Sequence, residues 1–283
     1  MAGAAKRAFS FIREVWREFN EDRGALFAAA ISFYGLISLI PLLLLAIAVF
    51  GLVTGSSEIA RREVVFFISK FIPAGIEELE QNLKALSEQS GVLGGLGLLG
   101  LLWIGSQVFV ILQQVMNIAI GAQKQVGFLR GRLVALVIVV VTGLLFAISV
   151  GLTSVLTALS HYETIWGHTF NLDLVLRLLA TFATFLTSVV AFVLAYKFLP
   201  VRRIGTMGPL YGGLTAGVLF EIAKNAFSWY VTNLANFNRI YGSLGGVVIL
   251  VLWIYYVSVI TVLGAEIASV YAKRAGDVNG RNR

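Results

Sequence analysis

The chain reads as an all-α integral membrane bundle of six transmembrane helices, with an N-terminal amphipathic helix and a short helical outer segment between spans one and two. Three observations predict this. Apolar stretches run over Leu26–Val53, Gly91–Gln123, Leu133–Leu159, Leu174–Tyr196, Thr206–Leu234 and Leu244–Tyr271, each long enough for a hydrocarbon core that takes about 20 residues to cross. The stretches are continuous rather than alternating, which disfavours a β-barrel. The lysines and arginines between them fall almost entirely on alternate sides.

Composition and charge point the same way. Hydrophobic residues make up 58% of the chain and charged residues 13%, against about 25% charged in soluble domains. A net charge of +7 raises the question of nucleic acid, and its distribution answers it. Lys6, Arg7, Arg13, Arg17 and Arg23 precede span one; Lys124, Arg130 and Arg132 follow span two. Lys197, Arg202 and Arg203 follow span four, and Lys273, Arg274, Arg281 and Arg283 follow span six. On the other side Arg61, Arg62, Lys70 and Lys84 are outnumbered by glutamates. This is the positive-inside pattern, with both termini cytoplasmic in a cell inner membrane. The basic excess is a topology signal first and a contact for lipid headgroups second, so membrane lipids are expected partners and nucleic acid is not. With no cysteine there is neither a disulfide nor a thiolate metal site, and no cofactor or metal is expected.

The elements follow in order. Residues 1–24 form the cytoplasmic N-terminal helix: Phe9, Ile12, Trp16 and Phe19 recur at helical spacing among basic residues. That pattern fits either a helix lying on the inner leaflet or one docked on the end of the bundle. Residues 25–272 form the six-span domain. Span one is longer than the 7–15-residue apolar core of a signal peptide, so it is expected to be retained. In it Pro41 removes a helical hydrogen bond and predicts a kink, with Ser38 placed to help satisfy the loosened backbone. The outer insertion, about 54–90, carries one stripe of Val64, Phe67, Ile68 and Phe71, a break at Pro73, and a second stripe of Ile76, Leu79, Leu83 and Leu86. Two amphipathic helices capping the bundle are expected. Gly91/Gly95, Gly208/Gly212 and Gly213/Gly217 have the spacing that lets helix backbones approach closely, within one bundle or in a homo-oligomer. Residues 273–283 form a cytoplasmic tail.

Polar residues inside the spans mark the candidate site. Span four carries Arg177, Thr181, Thr184 and Ser188; span five carries Glu221, Lys224, Asn225, Ser228 and Thr232; span two offers Gln113 and Asn117. Facing lipid they are costly, so they are expected to face one another or water in a polar interior. Glu221 and Lys224 are three apart and can pair, with Arg177 as a third member. Each ionisable residue in a span costs about 2.5–3.5 kcal/mol on insertion scales. The cluster is read either as a substrate or proton site or as a structural ion pair joining spans four and five. Glu266, near the cytoplasmic end of span six, is an anchor or a gate.

Ala28-Ala-Ala-Ile-Ser-Phe-Tyr-Gly-Leu-Ile-Ser-Leu-Ile-Pro41 resembles the first-span signature of the YihY/BrkB family of bacterial inner-membrane proteins. Tyr196-Lys-Phe-Leu-Pro200, Tyr241-Gly-Ser-Leu-Gly245, Trp253, Gly264-Ala-Glu266 and the Trp103…Asn117 spacing match in the same order. The resemblance covers about Arg23 to Tyr271 and adds Tyr241, Gly242 and Ser243 to Pro41, Ser38 and Glu266 as gating or structural positions. Ala268 departs from the family, which often has Asn there. A six-span helical fold is implied; labels within the family range from ribonuclease BN to virulence factor and lipid movement.

Function divides three ways. A transporter or lipid translocase uses the polar cavity for an anionic or amphipathic substrate, with Arg177 and Lys224 facing the anion. A non-transporting scaffold organises envelope assembly through the outer segment or the basic helix. An enzyme is disfavoured: phosphodiester hydrolysis recruits clustered carboxylates or histidines, and His161, His168, Glu163 and Asp173 lie in one outer loop, opposite to any RNA.

Overall fold

The computed structural model describes residues 2–69, 76–88, 103–104, 106–122, 131, 133–134, 137, 141, 172–201, 204–233 and 245–276. Regular structure among these is helical: α1 (Ala2–Glu21), α2 (Gly24–Thr54), α3 (Ser57–Ser69), α4 (Ile76–Glu88), α5 (Gln107–Ala119), α6 (Leu172–Phe198), α7 (Met207–Asn233) and α8 (Gly245–Arg274). Among the described residues three helices, within Gly24–Ala48, Thr181–Phe198 and Gly245–Arg274, are long and apolar enough to cross a membrane. The first, fourth and sixth apolar stretches therefore have spanning character. The fifth forms α7, as long as α6 but less apolar, because Glu221, Lys224 and Asn225 interrupt it. Of the second stretch, α5 is a shorter apolar helix. Gly91, Gly95, Pro73, the Tyr241-Gly242-Ser243 motif, His161, Glu163, His168 and nearly all of Leu133–Leu159 lie outside the described residues.

Helix α2 begins after Arg23, which takes a left-handed φ of 55°, and ends at Gly55 with φ 68°, the conformation that suits a glycine closing a helix. The helix continues through Pro41. Ser38 does not repair the backbone there: its hydroxyl donates to the Ile104 carbonyl at 3.0 Å, tying α2 to the segment before α5. Beyond Gly55, α3 turns back along α2, and Ala60, Val64, Leu79 and Leu83 are buried. Arg61 joins α3 to α4, donating to Glu58 at 2.8 Å and to Glu80 at 2.9 Å. The hydrogen bond to Glu58, with that to Glu80, outweighs the desolvation of the buried Arg61 guanidinium and holds its pKa above the ordinary value, while Glu58 is lowered chiefly by Arg61.

Helix α8 is the hub. It packs most extensively on α7, then on α2, and α7 in turn packs on α6. Glycines set these approaches. A Cβ at Gly208 would lie 2.6 Å from the Ala268 carbonyl oxygen, and one at Gly212 would strike the Gly264 carbonyl. Ala268 is itself 2% exposed, so this turn of α8 is filled by α7 backbone. On the neighbouring face, a Cβ at Gly213 would lie 2.8 Å from the Val193 nitrogen of α6, and Gly217 meets Val189. The two glycine pairs thus serve two different partners. Further along, Trp253 of α8 packs between Phe220 and Phe227 of α7, with ring centroids at 5.6 and 5.3 Å.

Helix α1 is docked on the bundle. Val15 and Phe19 are buried. Lys273 donates to Glu18 at 2.6 Å, Arg274 binds Glu14, and the Arg274 guanidinium lies 5.2 Å over the Phe11 ring. The Glu18 carboxyl is lowered, chiefly by the hydrogen bond from Lys273; Asp22 is raised, chiefly by burial.

Gly212→Ala is expected to destabilise the protein by about 1–3 kcal/mol, as overpacking against backbone does, whereas Leu214→Ala, exposed on the same helix, leaves the melting temperature in nanodiscs nearly unchanged. A second expectation concerns pH. Because Glu18 lies below its ordinary 4.5, its contribution to docking is complete above that pH and is lost as pH falls through the folded value. Asp22 works oppositely, its charge being the costly form. Nitroxides at Arg7→Cys and Ala275→Cys should give a pulsed-EPR distance that broadens below about pH 4.5. Glu18→Gln should show the broadened distribution already at neutral pH.

Candidate functional site

The polar residues of α6 and α7 are brought side by side by the glycine contacts just described. Val193 opposite Gly213 and Val189 opposite Gly217 set one antiparallel register. In that register Thr181 is level with Asn225, and Arg177 with Trp229. Arg177 therefore stands two turns from the level of Glu221, about 12 Å at 1.5 Å per residue, and its side chain lies outside the described residues. By backbone level in that register, the trio read from the sequence occupies successive steps of a ladder.

Glu221 and Lys224 form the expected ion pair, with side chains 23% and 17% exposed. Lys224 engages Oε1, while Oε2 of Glu221 is buried and has no hydrogen-bond partner among the described residues. The surrounding polar groups are satisfied within their own helices. Asn225 donates to the Glu221 carbonyl at 2.8 Å, Thr187 to Ala183 at 2.8 Å, Ser188 to Thr184 at 3.2 Å and Thr232 to Ser228 at 2.8 Å. Such bonds to the carbonyl four residues back let a hydroxyl or amide sit on an apolar helix without a wet neighbour. Asn225 and Thr181 are exposed on the flank of the pair, and Thr184 is half-buried.

Gln113 and Asn117 stand apart from this ladder. Gln113 donates to the Leu199 carbonyl at 2.6 Å, and Asn117 accepts from the Val201 amide at 2.9 Å. Lys197 adds a bond to the Ile204 carbonyl at 2.9 Å. Three long polar side chains therefore clamp the connection between α6 and α7, and Glu221 lies fourteen residues into α7, about 21 Å from its start. The Tyr196-to-Pro200 motif belongs to the same clamp. The Tyr196 hydroxyl donates to the Thr261 carbonyl at 2.9 Å, beside Gly264, while Leu199 is fully buried. A void bounded by Met116, Ile120, Tyr196, Pro200, Ile204, Ala265 and Ala268 lies here, and its lining is apolar. The sequence reading placed Gln113 and Asn117 in a cavity with Arg177, Glu221 and Lys224; their polar atoms instead meet backbone.

Glu266 is 1% exposed, with Oε2 unpartnered among the described residues. It points away from the Gly264 and Ala268 face that meets α7, towards the side of α8 that carries Lys273. Nearby, Ser269 donates to the Ala119 carbonyl and ties α8 to α5. Among the described residues no group of three or more histidine or acidic side chains is placed to hold a metal ion.

A helical chain with apolar helices of spanning length, packed through glycines and holding a half-paired carboxylate within one of its long helices, is a helical membrane protein. It belongs to the virulence factor BrkB family, which matches residues 15–283; the resemblance read from its motifs is borne out. It is 27% identical over 265 residues to a UPF0761 membrane protein of Alkalilimnicola ehrlichii, covering 94% of this chain and 59% of that one. It is 30% identical over 264 residues to a UPF0761 membrane protein of Pelodictyon phaeoclathratiforme, covering 90% and 58%. A relative in Aliivibrio fischeri is 27% identical over 277 residues, covering 96% and 86%. The chain thus spans less than two thirds of the length of several curated relatives it matches. No solved structure matches it.

Asn117→Ala is expected to leave the Val201 amide unpaired and to cost about 1–3 kcal/mol, read as a lower melting temperature in nanodiscs. Asn225→Ala, whose amide bonds only its own exposed helix face, should leave melting almost unaltered.

Proposed function

We propose that this protein is a multi-pass inner-membrane transporter of an anionic amphiphile, with six spans and both termini cytoplasmic. The observation that carries the reading is the half-paired Glu221: a carboxylate inside an apolar helix, with one oxygen on Lys224 and the other buried without a partner among the described residues. An apolar pair of similar volume would sit in α7 at lower cost, so an incompletely satisfied ion pair is better suited to exchanging partners than to filling the helix surface. Arg177, the Thr181/Asn225 level and the Glu221/Lys224 pair form successive polar steps along one helix seam. In this mechanism a substrate anion displaces Glu221 from Lys224 and is handed between Lys224 and Arg177. An acyl tail stays on the apolar flank beside Phe182, Leu186, Ile222 and Trp229, which are exposed. Glu221 neutralises Lys224 when the seam is empty.

A second reading, a non-transporting scaffold for envelope assembly, is favoured by the α3–α4 pair. Arg61 fixes that pair through Glu58 and Glu80, and it presents Ile59 and Phe66 exposed, as a platform for a partner would.

The two readings separate in reconstituted vesicles and in cells. For the transporter, Glu221→Gln or Arg177→Ala should reduce movement of a fluorescent anionic lipid at least tenfold while expression and melting stay near wild type. Transport equal to wild type by both variants removes that reading. For the scaffold, function survives Glu221→Gln combined with Lys224→Gln but is lost on deletion of residues 58–90.

A further inference from the structure

Four kinds of surface follow one another around α1 at about 100° per residue. Phe11, Val15 and Phe19 face the bundle, the latter two buried. Next come Ile12, Trp16 and Phe9, exposed to 66%, 60% and 70%. Beyond them lie Arg13, Lys6 and Arg17, all exposed. Last come Glu14 and Glu18, held by Arg274 and Lys273 of α8. The two acidic positions are neutralised by the bundle itself, so the side of α1 turned away from it is basic. The apolar strip lies opposite the Glu14 and Glu18 side, and it adjoins the basic row on one edge and the docked face on the other. Only two residues, Asp22 and Arg23, separate α1 from α2. Leu26, in the first turn of that spanning helix, is exposed to 61%, so the strip continues into the apolar surface that α2 offers to lipid.

We propose that this strip beds α1 into the membrane interface, with Phe9, Ile12 and Trp16 in the acyl boundary and Lys6 and Arg13 on anionic headgroups of the leaflet that adjoins the start of α2. An in-plane helix of this kind buries its apolar face at the boundary between headgroups and chains while its cations reach outward to phosphate. Tryptophan is a residue of this boundary, apolar in its body and polar at its N–H. Each cation near an anionic surface raises binding about fivefold. Arg17 contributes less, because Glu18 and Glu21 lie 3.2 and 3.6 Å from it. Charge complementarity selects lipid over a second copy of the chain: a two-fold contact across the strip with the axis normal to the helix, as for helices lying in the membrane plane, would bring the two basic rows together. Docking on α8 holds α1 in place laterally, so that it is bound at once to the bundle and to lipid. The placement is independent of whether the α6–α7 seam transports.

The absence of cysteine makes a single introduced thiol a unique probe. With the full chain in nanodiscs of phosphatidylcholine and phosphatidylglycerol, a nitroxide at Ile12→Cys is expected to collide with oxygen over a water-soluble nickel chelate at a ratio several-fold above that at Arg7→Cys, on the opposite side of α1. Equal ratios at the two positions overturn the proposal, and so does spin–spin broadening at position 12, which would mean that a second copy covers the strip. A fluorophore at position 12 should be quenched several-fold more by brominated phosphatidylglycerol than by brominated phosphatidylcholine. Lys6→Gln with Arg13→Gln, both at exposed positions, should abolish that preference, and an unchanged preference overturns the assignment of the headgroup contacts.

Discussion

The close approach of α7 to two neighbours at once is the constraint on which the rest of this structure depends. In lipid, apolar side chains gain nothing by leaving the solvent for one another, so helices associate through contact area and backbone proximity. Gly208 and Gly212 admit the carbonyls of Ala268 and Gly264, and Gly213 and Gly217 admit the α6 backbone at Val193 and Val189. Those contacts set the α6–α7 register, and the register decides which polar groups share a level. The position of Glu221 on the flank towards α6 follows from packing four residues earlier.

A second set of interactions fixes one end of the bundle. Gln113, Asn117 and Lys197 bind the backbone between Leu199 and Ile204, and Tyr196 and Ser269 reach across to Thr261 and Ala119. Four of the five place a polar side chain on a backbone carbonyl or amide that has left its helix or lies at a helix end; Tyr196 instead reaches a carbonyl within α8. Backbone groups without water require such partners, so a tight connection between two long helices needs long polar side chains around it. The polar seam around Glu221 lies well away from this end.

Much of the fold was legible in the sequence because length and apolar continuity are local properties. Helices α2, α6, α7 and α8 begin and end within three residues of the expected apolar stretches, and the Gly208/Gly212 and Gly213/Gly217 spacings pointed to true contact faces. What was hidden depended on pairing between distant elements. Nothing in the local pattern distinguishes Asn117, bound to a connecting amide, from Asn225, bonded to its own helix; both are polar residues on apolar helices. Ser38 looked suited to a break at Pro41 because the two are neighbours in sequence, yet its acceptor is Ile104. Arg177 shared a helical face with Thr181 and Thr184, but its level relative to Glu221 is set by the opposite helix. That α1 docks on the bundle follows from Lys273 and Arg274, which no window around Phe9 to Phe19 contains.

The pairing of Glu18 with Lys273 spans 255 residues, and that separation has a consequence for biogenesis. At synthesis rates of about 5–20 residues per second, α1 is complete on the order of tens of seconds before its docking partner leaves the ribosome. Throughout that interval Glu14 and Glu18 have no α8 to hold them, and α1 is seated only after α8 has been made. Closure of the Lys273 and Arg274 contacts is thus a late event that reports arrival of α8, and a chain truncated before Lys273 leaves α1 without a dock.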